Sequence, residues 1–81
     1  MNPRERRRFV VFGFASTHDA MAAESLLKQA AIPVTPIPSP PAFGSLCGLA
    51  IRVLPEDENR ATNVLSEGRV APVERADIED F

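Results

Sequence analysis

Prolines divide the extended stretches of this chain into two kinds, and that division constrains the fold more than any other feature. Residues 8–14 (RFVVFGF) and 48–54 (GLAIRVL) are apolar and free of proline, whereas residues 32–38 (IPVTPIP) and 69–74 (RVAPVE) are interrupted by it. Proline has no N–H to donate across a sheet, so the second and fourth stretches belong at sheet edges. The first and third, apolar on both faces, belong at the centre.

Two segments of helical character lie between these stretches. Residues 16–31 (STHDAMAAESLLKQAA) begin with Ser16 or Thr17 as N-cap and place Asp19 in the first turn, where the helix dipole favours a negative charge. Ala20, Ala23, Leu27 and Ala30 then form an inner face of small residues, with Glu24 and Lys28 as an i, i+4 pair outside. Residues 55–68 (PEDENRATNVLSEG) start on Pro55, carry Glu56, Asp57 and Glu58 at the positive end, align Ala61, Val64 and Leu65, and stop at Gly68. The resulting order is β-α-β-β-α-β.

A split βαβ arrangement of the ferredoxin-like kind has strand order 4-1-3-2, with the second and fourth strands outermost. Proline placement and topology therefore agree. The predicted fold class is α+β, a ferredoxin-like βαββαβ domain with a four-stranded antiparallel sheet and both helices on one face. The predicted organisation is a basic N-terminal tail over residues 1–7, one domain over residues 8–74, and an acidic C-terminal tail over residues 75–81.

Eighty-one residues make one domain with a core of marginal size. The single cysteine, Cys47, has no internal disulfide partner, which points to a reducing, cytoplasmic setting. The basic and then apolar start is at the short limit of an export signal and runs into STHDA rather than a small-residue cleavage site, so export is not expected. No stretch approaches the roughly 20 apolar residues that span a bilayer.

Nine basic residues against eleven acidic ones give a formal charge of −2, but the layout is uneven: Arg4, Arg6, Arg7 and Arg8 crowd the start, and Glu74, Asp77, Glu79 and Asp80 the end. A nucleic-acid arm would need stacking aromatics and a broad basic surface. The expectation is instead a solvated tail or attraction between the termini, with neither nucleic acid nor membrane as partner. The chain is expected to be a monomer or a weak homodimer, joined through the loop or the open sheet face rather than through proline-interrupted edges.

In this topology the first strand ends, the first helix begins and the loop before the third strand closes at one end of the sheet. Cys47 lies in that loop. The helix-start N–H groups near Ser16, Thr17 and His18 would stabilise a thiolate, His18 would add a proton donor or a positive charge, and Gly48 would leave room for another protein's reactive group. Cys47 as a small buried hydrophobe, and His18 as an exposed polar residue, remain open as the alternatives. One cysteine and one histidine fall short of the four ligands of structural zinc, so neither metal nor other cofactor is expected. Ser16, Ser39 and Ser45 lack the base and orienting group of serine-type catalysis.

The stretch from Phe14 to Val53 resembles the Se/S carrier protein-like family of small bacterial and archaeal domains. Phe14, Ser16, Ala20, Glu24, Leu27, Lys28, Pro38, Pro40, Cys47 and Gly48 carry the likeness: a serine-started helix, a P-x-P strand end and a CG turn. The chain departs from the pattern after Pro40, where the family commonly has a basic residue and this chain has Pro41, Ala42 and Phe43. The resemblance implies a sulfur or selenium carrier in which Cys47 accepts the chalcogen from a donor enzyme and passes it to an acceptor protein. That is transfer rather than multiple-turnover catalysis. The alternatives are a non-catalytic ligand- or partner-binding module, and a redox sensor that forms an intermolecular disulfide through Cys47.

Overall fold

The computed structural model describes residues 7–44 and 48–80. Among the described residues the strands and α-helices are β1 (Arg7–Gly13), α1 (Thr17–Gln29), β2 (Val34–Pro38), β3 (Leu49–Val53), α2 (Glu58–Glu67) and β4 (Glu74–Asp80). A 3-10 turn, Pro41–Phe43, lies in the β2–β3 connection, and another, Pro55–Asp57, leads into α2. All pairings are antiparallel, in the order β2-β3-β1-β4. This is the expected order read from the other side, with the proline-free first and third strands in the middle.

The central pair sorts its side chains by the two-residue period of a strand. Val10 and Phe12 lie opposite Val53 and Ile51, and they share one cluster with Phe14, Ala20, Ala23, Leu27, Ala61 and Leu65. Both helices therefore cover the same face. The alanines at 20, 23 and 61 are fully buried, which lets the helix backbones lie close to the sheet.

Local chemistry sets the helix ends. Ser16, in extended conformation, accepts a hydrogen bond through its hydroxyl from the Asp19 N–H at 3.1 Å, which starts α1. At the other end Ala31 adopts φ 60° while the Ile32 and Ala31 N–H groups donate to the Leu27 and Lys28 carbonyls. This is a Schellman closure. The same closure ends α2, with Arg69 at φ 61° and the Val70 and Arg69 N–H groups bonded to the Leu65 and Ser66 carbonyls. Arg60 of α2 donates to the Ala30 carbonyl at 3.2 Å, placing a cation on the negative end of α1.

Gly68 marks the helix stop as expected, but for a different reason. Arg69, not Gly68, takes the left-handed conformation. A Cβ on Gly68 would overlap Leu26 Cδ1 and lie 3.1 Å from Cδ2, so the glycine serves the close approach of the two helices.

The last strand corrects the sequence reading. Residues 69–74 were expected to form it and residues 75–81 to be an acidic tail, yet β4 runs Glu74–Asp80 and residues 70–72 are irregular. Pro72 thus precedes the strand instead of interrupting it. The pairing responsible is non-local. Along β1 and β4, Arg7 lies opposite Asp80 and Arg8 opposite Glu79, while the Arg8 guanidinium approaches the Asp77 carboxylate at 3.5 Å. Attraction between the oppositely charged termini, one of the two expectations, is realised there. Arg7 likewise belongs to β1, not to a tail.

Arg75 ties β4 to α2. It donates through Nε and Nη2 to both carboxylate oxygens of Glu58, the latter bond at 2.8 Å, and reaches Asp77 at 3.2 Å. That fork holds the Glu58 carboxyl below the ordinary glutamate value.

Candidate functional site

The sheet end on which the functional reading turns is built by strand register. Gly13, the last residue of β1, lies opposite Ala50 of β3, and Pro38, the last of β2, lies opposite Leu49. The chain leaving Gly13 reaches the α1 N-cap at Ser16 three residues later. The start of α1 and the β2–β3 loop therefore share one end of the sheet, as the topology predicted.

Cys47 lies outside the described residues, together with Ser45 and Leu46. Its described flanks show how the loop is held. The Ser39 N–H donates to the Gly48 carbonyl at 3.1 Å, closing the loop at its base. From Pro40 the chain makes a 3-10 turn in which the Phe43 and Gly44 N–H groups donate to the Pro40 and Pro41 carbonyls, each at 3.0 Å. Gly44, at φ 63° and ψ −127°, then adopts a conformation that a side chain would strongly disfavour.

Phe43 is the anchor of this loop. Its side chain is buried with Val11 and Ala50, and Ile37, Ala76 and Ile78 pack against that group. Val11 and Ala50 belong to the sheet face turned away from the helices, so the loop crosses to the second face and covers part of it. Beside this cluster, Phe9 is buried on the same face beneath the Arg52 guanidinium, 4.1 Å from its ring centroid.

The remaining candidate residues take distinct positions. The Ser16 hydroxyl is engaged in capping its own helix, and its carbonyl accepts from the Ala20 N–H at 3.1 Å. Thr17 and His18 are exposed in the first turn of α1. Gly48 is exposed, and a Cβ there would meet nothing within 4 Å, so the space beside it is open with or without a side chain. Asp19 adds a carboxylate to the same helix start, opposing part of the positive field that an anion would feel there.

Phe43 and the Ser39–Gly48 closure are absent from the sequence-based site. The available signal was an aromatic residue in a stretch of proline, alanine and glycine with no polar side chain to hold it in water. Among the described residues, no group of three His, Cys, Asp or Glu side chains is placed to hold a metal ion, and no helix is long and apolar enough to cross a membrane.

A family model described as "Putative Se/S carrier protein-like" matches residues 9–74, a span that includes the whole β2–β3 loop. No curated protein and no solved structure matches the chain.

Proposed function

The chain belongs to this Se/S carrier protein-like family, and on that premise we propose that it is a ferredoxin-like carrier domain that holds sulfur or selenium on Cys47 in a reducing cytoplasm. The observation that carries the proposal is the family match running through the P-x-P and CG residues that bracket the loop, Pro38, Pro40, Cys47 and Gly48. The loop's short closure and its Phe43 anchor support it, because transfer to and from partner proteins needs a defined point of delivery more than a catalytic constellation.

The chemistry is exchange at sulfur. The Cys47 thiolate attacks the outer sulfur of a persulfide on a donor enzyme, a new S–S bond forms as the donor's S–S bond breaks, and the donor thiolate leaves with the electron pair. Delivery to an acceptor nucleophile reverses these roles and regenerates the Cys47 thiolate. No external oxidant enters, because the transferred atom carries its oxidation level with it. Selenium follows the same course as a selenosulfide. On this reading the helix-start N–H groups near Ser16 and Thr17, with His18 as a further donor, favour the anionic form of the thiol.

The test is intact mass measurement after incubation with a cysteine desulfurase and cysteine. The expected result is a gain of one sulfur atom, removed by reductant and absent from Cys47→Ser, with the variant's fold and stability unchanged. A packing role predicts the opposite pattern. Cys47 then resists alkylation until the protein unfolds, gains no sulfur, and Cys47→Ser costs about 1–3 kcal/mol by burying an unsatisfied hydroxyl.

A further inference from the structure

We propose that the cleft at the sheet end opposite the β2–β3 loop binds a small organic anion, an oxyanion head group carried on a short apolar body. The cleft exists because the strands are unequal in length. β1 pairs with β4 from Arg7 onward, but β3 ends at Val53 opposite Val10, and β2 begins at Val34 opposite Val53. Among the described residues, Arg7 and Phe9 therefore have no strand beside them on the β3 side. The chain leaves the sheet at Leu54 for the 3-10 turn before α2. A cavity of about 260 Å³ remains in the notch, lined by Arg7, Phe9, Pro33, Thr35, Arg52 and Leu54 among others.

The lining divides into a charged part and an apolar part. By register Thr35 lies opposite Arg52 and Arg52 opposite Val11, so both share the second face with Phe9 and Arg7. The buried Phe9 ring has the Arg52 guanidinium 4.1 Å and the Arg7 guanidinium 6.0 Å from its centroid. A guanidinium resting on a ring keeps its N–H edge for hydrogen bonds, and that edge matches two oxygens of a carboxylate or phosphoryl group. Arg52 has contacts besides the ring, and its five donors serve more than one acceptor. The exposed Thr35 hydroxyl adds a neutral donor beside it.

Among the described residues no carboxylate lines this cavity. Asp80, opposite Arg7, belongs to β4, which lies on the far side of β1 from the notch. Pro33 and Leu54, with the Phe9 ring, form the apolar walls. Two cations and a hydroxyl beside such walls select a ligand with a negative head and a non-polar body. The cavity is smaller than the roughly 300–1,000 Å³ of drug-sized ligands, so the body is about one ring in size. Gly13, Pro38 and Gly48 mark the other end of the sheet, so binding here does not depend on the chemistry of Cys47.

Phenyl phosphate and benzoate, titrated separately into the isotope-labelled chain and followed by amide NMR, test the proposal. Inorganic phosphate and benzyl alcohol serve as the head and the body alone. The expected result is saturable shifts centred on residues 7–9, 34–35 and 52–54 with at least one of the two anions, weakening as salt rises. That anion should bind about tenfold or more tightly than either half, and the one that does so identifies the head group. Arg52→Lys keeps the charge but not the flat fork and should weaken binding several-fold. The Arg7→Gln/Arg52→Gln double variant should abolish saturation in the same concentration range. No saturable shift with either anion, inorganic phosphate binding as tightly as phenyl phosphate, or equal shifts around Arg60 and Arg69 would overturn the proposal. Should the double variant fail to fold, the ligand series on the unaltered chain still decides.

Discussion

Replacing Phe43 by alanine separates the two sides of this sheet. The ring is 6% exposed and packs on the face opposite the helices, with Val11 and Ala50 as its fully buried neighbours among the described residues. A buried phenylalanine removes on the order of 150 Å² from water, and at about 25 cal/mol per Å² the ring accounts for roughly 4 kcal/mol. That figure is an upper bound, because the denatured chain already hides part of the ring. The seat also opens to water when the loop lifts, so no sealed cavity remains. A loss of about 2–3 kcal/mol follows, below the ~3–5 kcal/mol of a fully enclosed Phe→Ala change. For 81 residues with a total stability of about 4–12 kcal/mol, the variant should still fold. Urea unfolding gives the magnitude, and hydrogen exchange gives the location. The Ser39 N–H, bonded to the Gly48 carbonyl, should lose protection well beyond the global change, while amides of Val10 and Phe12 follow the global change alone. A loss under about 0.5 kcal/mol, or Ser39 protection falling only in step with Val10, would show that Phe43 does not hold the loop to the sheet.

What could be read from the sequence follows from which interactions are local. Helix starts and stops depend on a few adjacent residues, and Ser16, Asp19 and Gly68 announced them. Proline acts on its own backbone, so the edge position of β2 was legible; β4 is an edge as well, but it carries no proline, and Pro72 lies before it. The span of β4 was not legible. Its seven residues, ERADIED, hold apolar side chains only at Ala76 and Ile78, and that density of charge looks like a solvated tail until the arginines of β1 are brought beside it. Phe43 failed in the same way, because its partners come from four strands. Gly68 shows a subtler limit. The residue signals a helix end in sequence, but the side chain that a Cβ there would displace is Leu26, forty-two positions earlier. The chemistry proposed for Cys47 has no local signature beyond its neighbours in the loop, and the proposal rests on family likeness.

Three further perturbations probe the framework. Ala31→Gly should raise the urea midpoint with unchanged slope, by about 0.5–1 kcal/mol, because it relieves a left-handed alanine at φ 60° at the end of α1; Ala30→Gly, at φ −86°, should give no such gain. Gly68→Ala should cost about 1–3 kcal/mol through overlap with Leu26, and less in a Leu26→Ala background, with a coupling of at least about 0.5 kcal/mol; strict additivity would remove Leu26 as the reason for the glycine. The pH dependence of the Arg75–Glu58 fork has a definite sign. The hydrogen bonds from Arg75 lower the folded pKa of Glu58 below its ordinary value of 4.5. The carboxylate's contribution is therefore complete above that value and is lost as pH falls through the lower folded one. The stability difference between the unaltered chain and Arg75→Ala should be flat from neutral pH down to that ordinary value, then shrink as acid protonates Glu58. Because the pair lies at the surface, added salt should also reduce the difference at neutral pH. A difference that persisted undiminished in acid would mean that Arg75 acts through the packing of its stem against α2 rather than through its charge.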